Sequence, residues 1–359
     1  MTGRLGRPAP GCALSPALLA LFLAAGIENA DAEDAVDRQC VIIAVGAPGT
    51  AEYGAEFDHS AARWEEAARA GGAEVIRLGP GGSSGSAEAR ADREVLEEAV
   101  RRQAGKSAEC LWLVLIGHGT FDGRTAKFNL RGPDVAAEEL AEWLKTCERP
   151  LAVIDCASAS GPFIHHLSGP RRVIVTATKS GNELNFARFG RHLADAVSDR
   201  DCDLDKDQQV SLLEAFLMAA ARASEFYERE ARLATEHALI DDDGDGKGTP
   251  ADWFQGIRAV RRAAGGAAPD GSRANQFVLV RRPAERAMPA STRGERDRLE
   301  LAIEALREEK PKLDANVYYE RLEAILLELA RAYERFEEAG KDPSPPPAAP
   351  PGEEAPPAK

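Results

Sequence analysis

The chain has 359 residues, enough for one large domain with an appendage. Hydrophobic residues make up 44% of it, which supports a sizeable core. The formal net charge of -14 argues against nucleic acid as the main partner, which would favour a basic face, and leaves a protein substrate open.

The first 32 residues predict an export signal: Arg4 and Arg7 precede an apolar run from Ala13 to Ala25, and Ala30-Asp31-Ala32 supplies a small-x-small cleavage site. The expected location is periplasmic or extracellular. The run is short for a bilayer span, so an uncleaved signal acting as a membrane anchor is the alternative. Signal removal leaves Cys40, Cys110, Cys147, Cys156 and Cys202, an odd number with at least one unpaired thiol.

Cys40 to Gly46 predicts a first buried strand, Glu56 to Ala70 a helix with Phe57, Ala61, Trp64 and Ala68 on one stripe, and Glu74 to Leu78 a second strand. The Gly/Pro/Ser loop from Gly79 to Ser86 lacks the Gly-Lys-Ser/Thr ending of a phosphate loop. Gly105-Lys106-Ser107 has that ending but follows a helix, so nucleotide binding is not expected. Ala87 to Ala104 predicts an amphipathic helix. Leu111 to Ile116 is an unbroken apolar strand that stops at Gly117-His118-Gly119. After a helix over Asp134 to Thr146, the strand Leu151 to Ile154 stops at Asp155-Cys156-Ala157-Ser158-Ala159-Ser160-Gly161. A short helix over Gly161 to Leu167, a strand over Arg172 to Ala177 and a helix over Asn185 to Val197 continue the alternation. Such alternation calls for a mostly parallel α/β sheet flanked by helices, with ligands beyond the carboxyl ends of its strands. His118 and Cys156 then share one rim, where a thiol and an imidazole are the minimum for a nucleophile with a general base.

Asp203, Asp205, Asp207, Gln209, Ser211 and Glu214 fit a twelve-residue EF-hand calcium loop, with Gln208 where Gly usually allows the sharp turn. A helix is expected from Ser211 to Glu236. Asp241, Asp243 and Asp245 repeat the alternation in a weaker loop whose closing ligand would be Asp252, shorter than Glu. Calcium would be structural; no cofactor is expected for catalysis. Asn275 to Val280 predicts a final edge strand. Helices over Arg296 to Lys310 and Asp314 to Glu338 form a hairpin within 292–338. The second puts Leu322, Ile325, Leu326, Leu329, Tyr333 and Phe336 on one stripe that must dock on the main domain, pair with another copy or bind a partner. Residues 339–359 form a Pro-rich tail expected to be disordered.

The His-Gly and Cys strand ends, with Ser160-Gly161 close behind the Cys, resemble the caspase and legumain group of cysteine peptidases, in its bacterial legumain-like form. The resemblance spans Cys40 to Val280 in strand order and implies a caspase–haemoglobinase three-layer sandwich over 33–285. It implies Cys156 as nucleophile, His118 as base and acid, and an oxyanion site from the N–H groups of Gly119 and Cys156. It also implies that the loop Thr178 to Asn185 lines the substrate pocket, where Glu183 could select a basic side chain; alternatively, Glu183 simply opens the following helix. The Gln-Ala-Cys-x-Gly caspase motif is absent, and Gly46-Ala47-Pro48-Gly49 stands where legumains place an Asn beside the His. In this fold the first strand neighbours the His118 strand, which brings Cys40 and Cys110 near enough for a disulfide, with Cys147 as a rival partner. The function implied is an exported cysteine endopeptidase acting on a peptide or protein. A catalytically idle binding or scaffold module at the cell envelope is the alternative.

Overall fold

Six-residue apolar runs with no polar interruption have no wet face to offer, so they are stable only between two layers of helices. The computed structural model, which describes residues 38–82, 91–106, 109–265 and 268–341, builds this arrangement. Strands β1 (Cys40–Val45), β2 (Glu74–Leu78), β3 (Leu111–Ile116), β7 (Leu151–Asp155) and β8 (Arg172–Thr176) run parallel. Two short strands, β9 (Leu239–Asp241) and β10 (Thr249–Pro250), add antiparallel at one edge, giving seven strands in the order β10-β9-β8-β7-β3-β1-β2. The expected signal segment and the tail beyond residue 341 lie outside the described residues.

Alternation along the strands divides the core. Val41, Ile43, Trp112, Val114, Ile154 and Cys156 face α1 (Ala51–Ala70), α5 (Phe189–Ala196) and α6 (Leu212–Arg229). Ile42, Ala44, Leu113, Leu115 and Val153 face α2 (Asp92–Ala104), α3 (Ala137–Trp143) and α4 (Phe163–Leu167). Each fully buried large side chain in these layers contributes about 1.5–3 kcal/mol. The fold is therefore an α/β three-layer sandwich with a mostly parallel sheet.

Several local expectations need correction. The first helix begins at Ala51 rather than Glu56, because Thr50 caps it by accepting from the Tyr53 amide at 3.4 Å. The segment after His118 forms a small three-stranded sheet, β4 (Gly119–Phe121), β5 (Ala126–Phe128) and β6 (Val135–Ala136), which shortens the next helix to α3. The helix after Glu183 starts only at Phe189, and α6 stops at Arg229, where Ala231 turns left-handed at φ 51°. Asn275 to Val280 is not a strand: it holds a 3-10 turn and one isolated bridge, Ser211 to Val278, while the Gln39 side chain binds the carbonyls of Val278 and Leu279. The strands that extend the sheet beyond β8 are instead β9 and β10, with β10 outermost.

All five described cysteines are free. Cys40 does lie beside Cys110, its amide donating to the Cys110 carbonyl at 3.1 Å. However, β1 pairs Cys40 with Leu111, so the two thiols project to opposite faces of the sheet and cannot bond.

The C-terminal hairpin comprises α8 (Ala290–Glu309) and α9 (Ala315–Lys341), preceded by the short α7 (Pro283–Ala287). Helix α8 buries Leu299, Ile303 and Leu306 and packs against α9, and it is joined to the sandwich by polar contacts: Arg293, which with Arg281 clasps Glu109, and the Gln276 side chain, which donates to the Asp297 carbonyl at 2.8 Å. Leu322, Ile325, Leu329, Tyr333 and Phe336 are half-buried, as the stripe requires, whereas Tyr319, Leu326 and Leu327 stay exposed.

Candidate active site

Strand β3 delivers His118 and β7 delivers Cys156. The two strands are hydrogen-bonded neighbours, with Leu115 opposite Asp155, so both residues leave the carboxyl rim side by side. His118 packs on the α1 side of the sheet, its ring 4.8 Å from that of Tyr53, 5.2 Å from Phe57 and 6.2 Å from Phe186. Cys156 faces the same layer. Beyond β1, the Pro48 carbonyl lies 3.3 Å from His118 Nε2. A carbonyl only accepts, so Nε2 donates to it and Nδ1 is the ring nitrogen left for other partners. Pro48 had no signal in the sequence, because a backbone carbonyl looks the same under every side chain.

Cys156 is only 6% exposed. A Cβ placed on Gly190, in the first turn of α5, would stand 2.4 Å from Cys156 Cβ and 3.0 Å from its Sγ, so only glycine lets the helix approach the thiol this closely. No hydrogen bond joins Cys156 to His118. Burial first, then the charges of Asp155 and Glu236, hold the thiol far above its ordinary pKa. Glu236 is itself buried and caps α5, accepting from the amides of Arg188 and Phe189 at 2.9 Å each and from the Tyr227 hydroxyl at 2.9 Å. Asp155 points to the opposite face. Its Oδ1 accepts from the Ala157 amide at 3.0 Å, its Oδ2 has no partner, and burial raises its pKa to about 7.

Both expected oxyanion donors are engaged. The Cys156 amide donates to the Leu115 carbonyl at 2.9 Å, extending the β7 ladder by one residue. The Gly119 amide donates to Ser158 Oγ at 3.3 Å, a long bond, and the Ser158 hydroxyl donates back to the Gly119 carbonyl at 3.4 Å. Ser160 and Gly161 are pinned to the loop after β8 through Thr178, whose Oγ1 lies 3.1 Å from Ser160 Oγ and accepts from the Gly161 amide at 3.0 Å. Between them and Cys156, Ala159 sits left-handed at φ 56°, a strained backbone held by its amide's bond to the Glu183 carbonyl at 2.9 Å. The Glu183 carboxylate neither opens a helix nor lies free. It pairs with His237 Nδ1 at 2.6 Å and accepts from the amides of Lys179 and His237 at 3.0 and 3.2 Å.

The two acidic loops lie away from this rim in sequence. Asp203, Asp205 and Glu214 bring carboxylate oxygens within 4.8 Å of one another, and so do Asp241, Asp243 and Asp245; either cluster could hold a metal ion. In the first loop Gln208 adopts φ 74°, the turn that Gly usually supplies. Asp207 binds the Gln209 amide and side chain instead, Gln209 Oε1 accepts from the Arg282 amide, and Ser211 caps α6. Asp252 is exposed in a 3-10 turn and does not join the second cluster.

No family model and no curated protein matches the chain. Among solved structures, it is similar to caspase-1 from Spodoptera frugiperda with a TM-score of 0.37 and 12% identity, over 58% of this chain and 87% of that one. It is similar to the Drosophila initiator caspase Dronc with a TM-score of 0.40 and 11% identity, over 59% of this chain and 82% of that one. Likeness at this level leaves the chemistry to be argued from the residues themselves.

Proposed function

We propose that the chain is an exported cysteine endopeptidase of the caspase–legumain type, with Cys156 as nucleophile and His118 as general base and acid. The supporting observation is the pairing of adjacent strand ends: one thiol and one imidazole on the same face, with the imidazole Nε2 committed to Pro48 and Nδ1 left to take a proton. In the reaction, the Cys156 proton passes to His118 Nδ1 as sulfur bonds to the substrate carbonyl carbon. The C–N bond then breaks, the amine leaves with the proton from His118, and water hydrolyses the acyl-enzyme. Gly119 serves the oxyanion once Ser158 rotates away. The buried thiol and the engaged Cys156 amide describe a resting state, in which Cys156 must leave its seat against Gly190 before attack.

Those same two observations favour a second reading, in which the fold is a catalytically idle scaffold at the cell envelope. A thiol-reactive peptide probe separates the two. Labelling of Cys156 in the native protein, abolished by His118→Ala, supports the peptidase; no labelling of Cys156 by a panel of such probes removes it.

The first acidic loop is proposed as a structural calcium site built on Asp203, Asp205 and Glu214, stabilising the fold by mass action at millimolar calcium. A melting temperature that rises with calcium in wild type and rises less in Glu214→Gln supports it; an identical rise in both refutes it.

A further inference from the structure

Asp241 closes β9 and is completely buried, yet neither of its carboxylate oxygens has a hydrogen-bond partner. The Ser168 hydroxyl and the Gly246 amide lie nearest and favour its charge, but neither makes a well-formed hydrogen bond to it, and the Ser168 hydroxyl donates to the Ile164 carbonyl at 2.7 Å. No ion pair reaches Asp241 or Asp243 among the described residues, and Lys247, the lysine of this loop, turns its Nζ to the carbonyls of Ala264 and Gly265 at 3.2 and 2.6 Å. A buried carboxylate without a partner costs several kcal/mol in a protein interior, so such a group persists only where something neutralises it.

The geometry points to Asp241, Asp243 and Asp245 as a site for a divalent hard cation of the calcium class, separate from the loop at Asp203 and with the stronger need for its ion. Asp241 supplies the buried ligand. Asp243 and Asp245, half-buried, complete a three-carboxylate cup within 4.8 Å on the solvent side. The Asp243 and Asp245 oxygens that accept from the Asp245 and Lys247 amides at 2.9 and 2.8 Å are thereby held in place. Gly246 turns the chain at φ 76°, matching Gln208 at φ 74° in the first loop. In contrast, the first loop already satisfies its buried carboxylate: Glu214 accepts from the amides of Leu204, Asp205 and Ser211 and from the Ser211 hydroxyl. The second loop packs on the end of α4, with a Cβ on Gly244 standing 3.0 Å from the Gly169 backbone. An ion here fastens β9 to the helix that follows the Cys156 turn.

The test is thermal melting of the full chain with calcium chloride against chelator, read independently of any peptidase activity. In the Glu214→Gln background, which disables the first loop, calcium raises the melting temperature by several degrees at free calcium ~100-fold above its dissociation constant. Adding Asp241→Asn abolishes that rise, while the chelated Asp241→Asn protein melts no lower than chelated wild type because a buried unpartnered charge is gone. If Asp241→Asn does not fold, the half-exposed Asp245→Asn takes its place. Absence of a calcium-dependent rise in Glu214→Gln, or its survival in the double variant, overturns the site.

Discussion

At the residue scale, the Pro48 carbonyl holds one ring nitrogen of His118, and Cys156 is seated against Gly190. Cys156→Ala removes one sulfur from a site already shaped by Gly190, and His118→Ala removes a ring from an aromatic cluster. Both variants are expected to lose peptide hydrolysis to background. Cys156→Ala should melt close to wild type, whereas His118→Ala should melt somewhat lower. Normal turnover in either variant, assayed on a peptide library, contradicts the assignment. Asp155 gives a pH signature. Its folded pKa of about 7 stands well above the ordinary carboxylate range, because burial disfavours the charge. Between roughly pH 4 and pH 7 the native state therefore keeps a proton that the unfolded chain has released. The stability this group contributes is complete below that range and is lost as pH rises through 7. Asp155→Asn removes the dependence, so its urea midpoint relative to wild type should be higher at pH 8 than at pH 5. Equal differences at the two pH values would contradict a buried, raised Asp155.

At the element scale, the sheet was legible where burial imposed a pattern. Cys40 to Val45, Leu111 to Ile116 and Leu151 to Asp155 are apolar without interruption, and only a central parallel strand makes that sequence stable. The strand-end positions of His118 and Cys156 followed from this. The missed pieces, β4 to β6 and β9 to β10, have two or three residues each, too few for a period, and owe their form to the elements they lean on. Glu236 was hidden because it reads as one more helical acid, yet the chain leaves α6 early and returns it to cap α5. Gly190 carried no signal either, since its role exists only once α5 lies against β7. Gly190→Ala is expected to cost about 1–3 kcal/mol from overpacking. Chemical denaturation should show that cost shrinking in Gly190→Ala/Cys156→Gly, where the opposing Cβ is absent. Simple additivity of the two substitutions would show that the contact is not tight.

At the scale of the whole molecule, the hairpin is tied to the sandwich by charged and polar contacts. Glu109, whose side chain is 10% exposed, serves Arg281 and Arg293 together and so joins the start of β3 to α8. Glu109→Ala takes the shared carboxylate from the half-buried Arg281 and from the buried Arg293, which keeps its bonds to the Glu285 and Met288 carbonyls, a change on the order of 3 kcal/mol. Early proteolysis between α7 and α9, together with a lower melting temperature, is the expected result; an unchanged digestion pattern would mean that the Glu109 pairs do not hold the hairpin.

The sheet also sorts the thiols. Cys110, Cys156 and Cys202 lie in one layer, while Cys40 and Cys147 border the other. The native topology thus acts as an insulator between sulfur atoms that a loose chain would let collide. Its effect shows in the history of a sample rather than in its resting state. Once melted in air, the chain can trap crosslinks that the sandwich forbids, so a second heating scan should recover the transition with reductant present and lose it without.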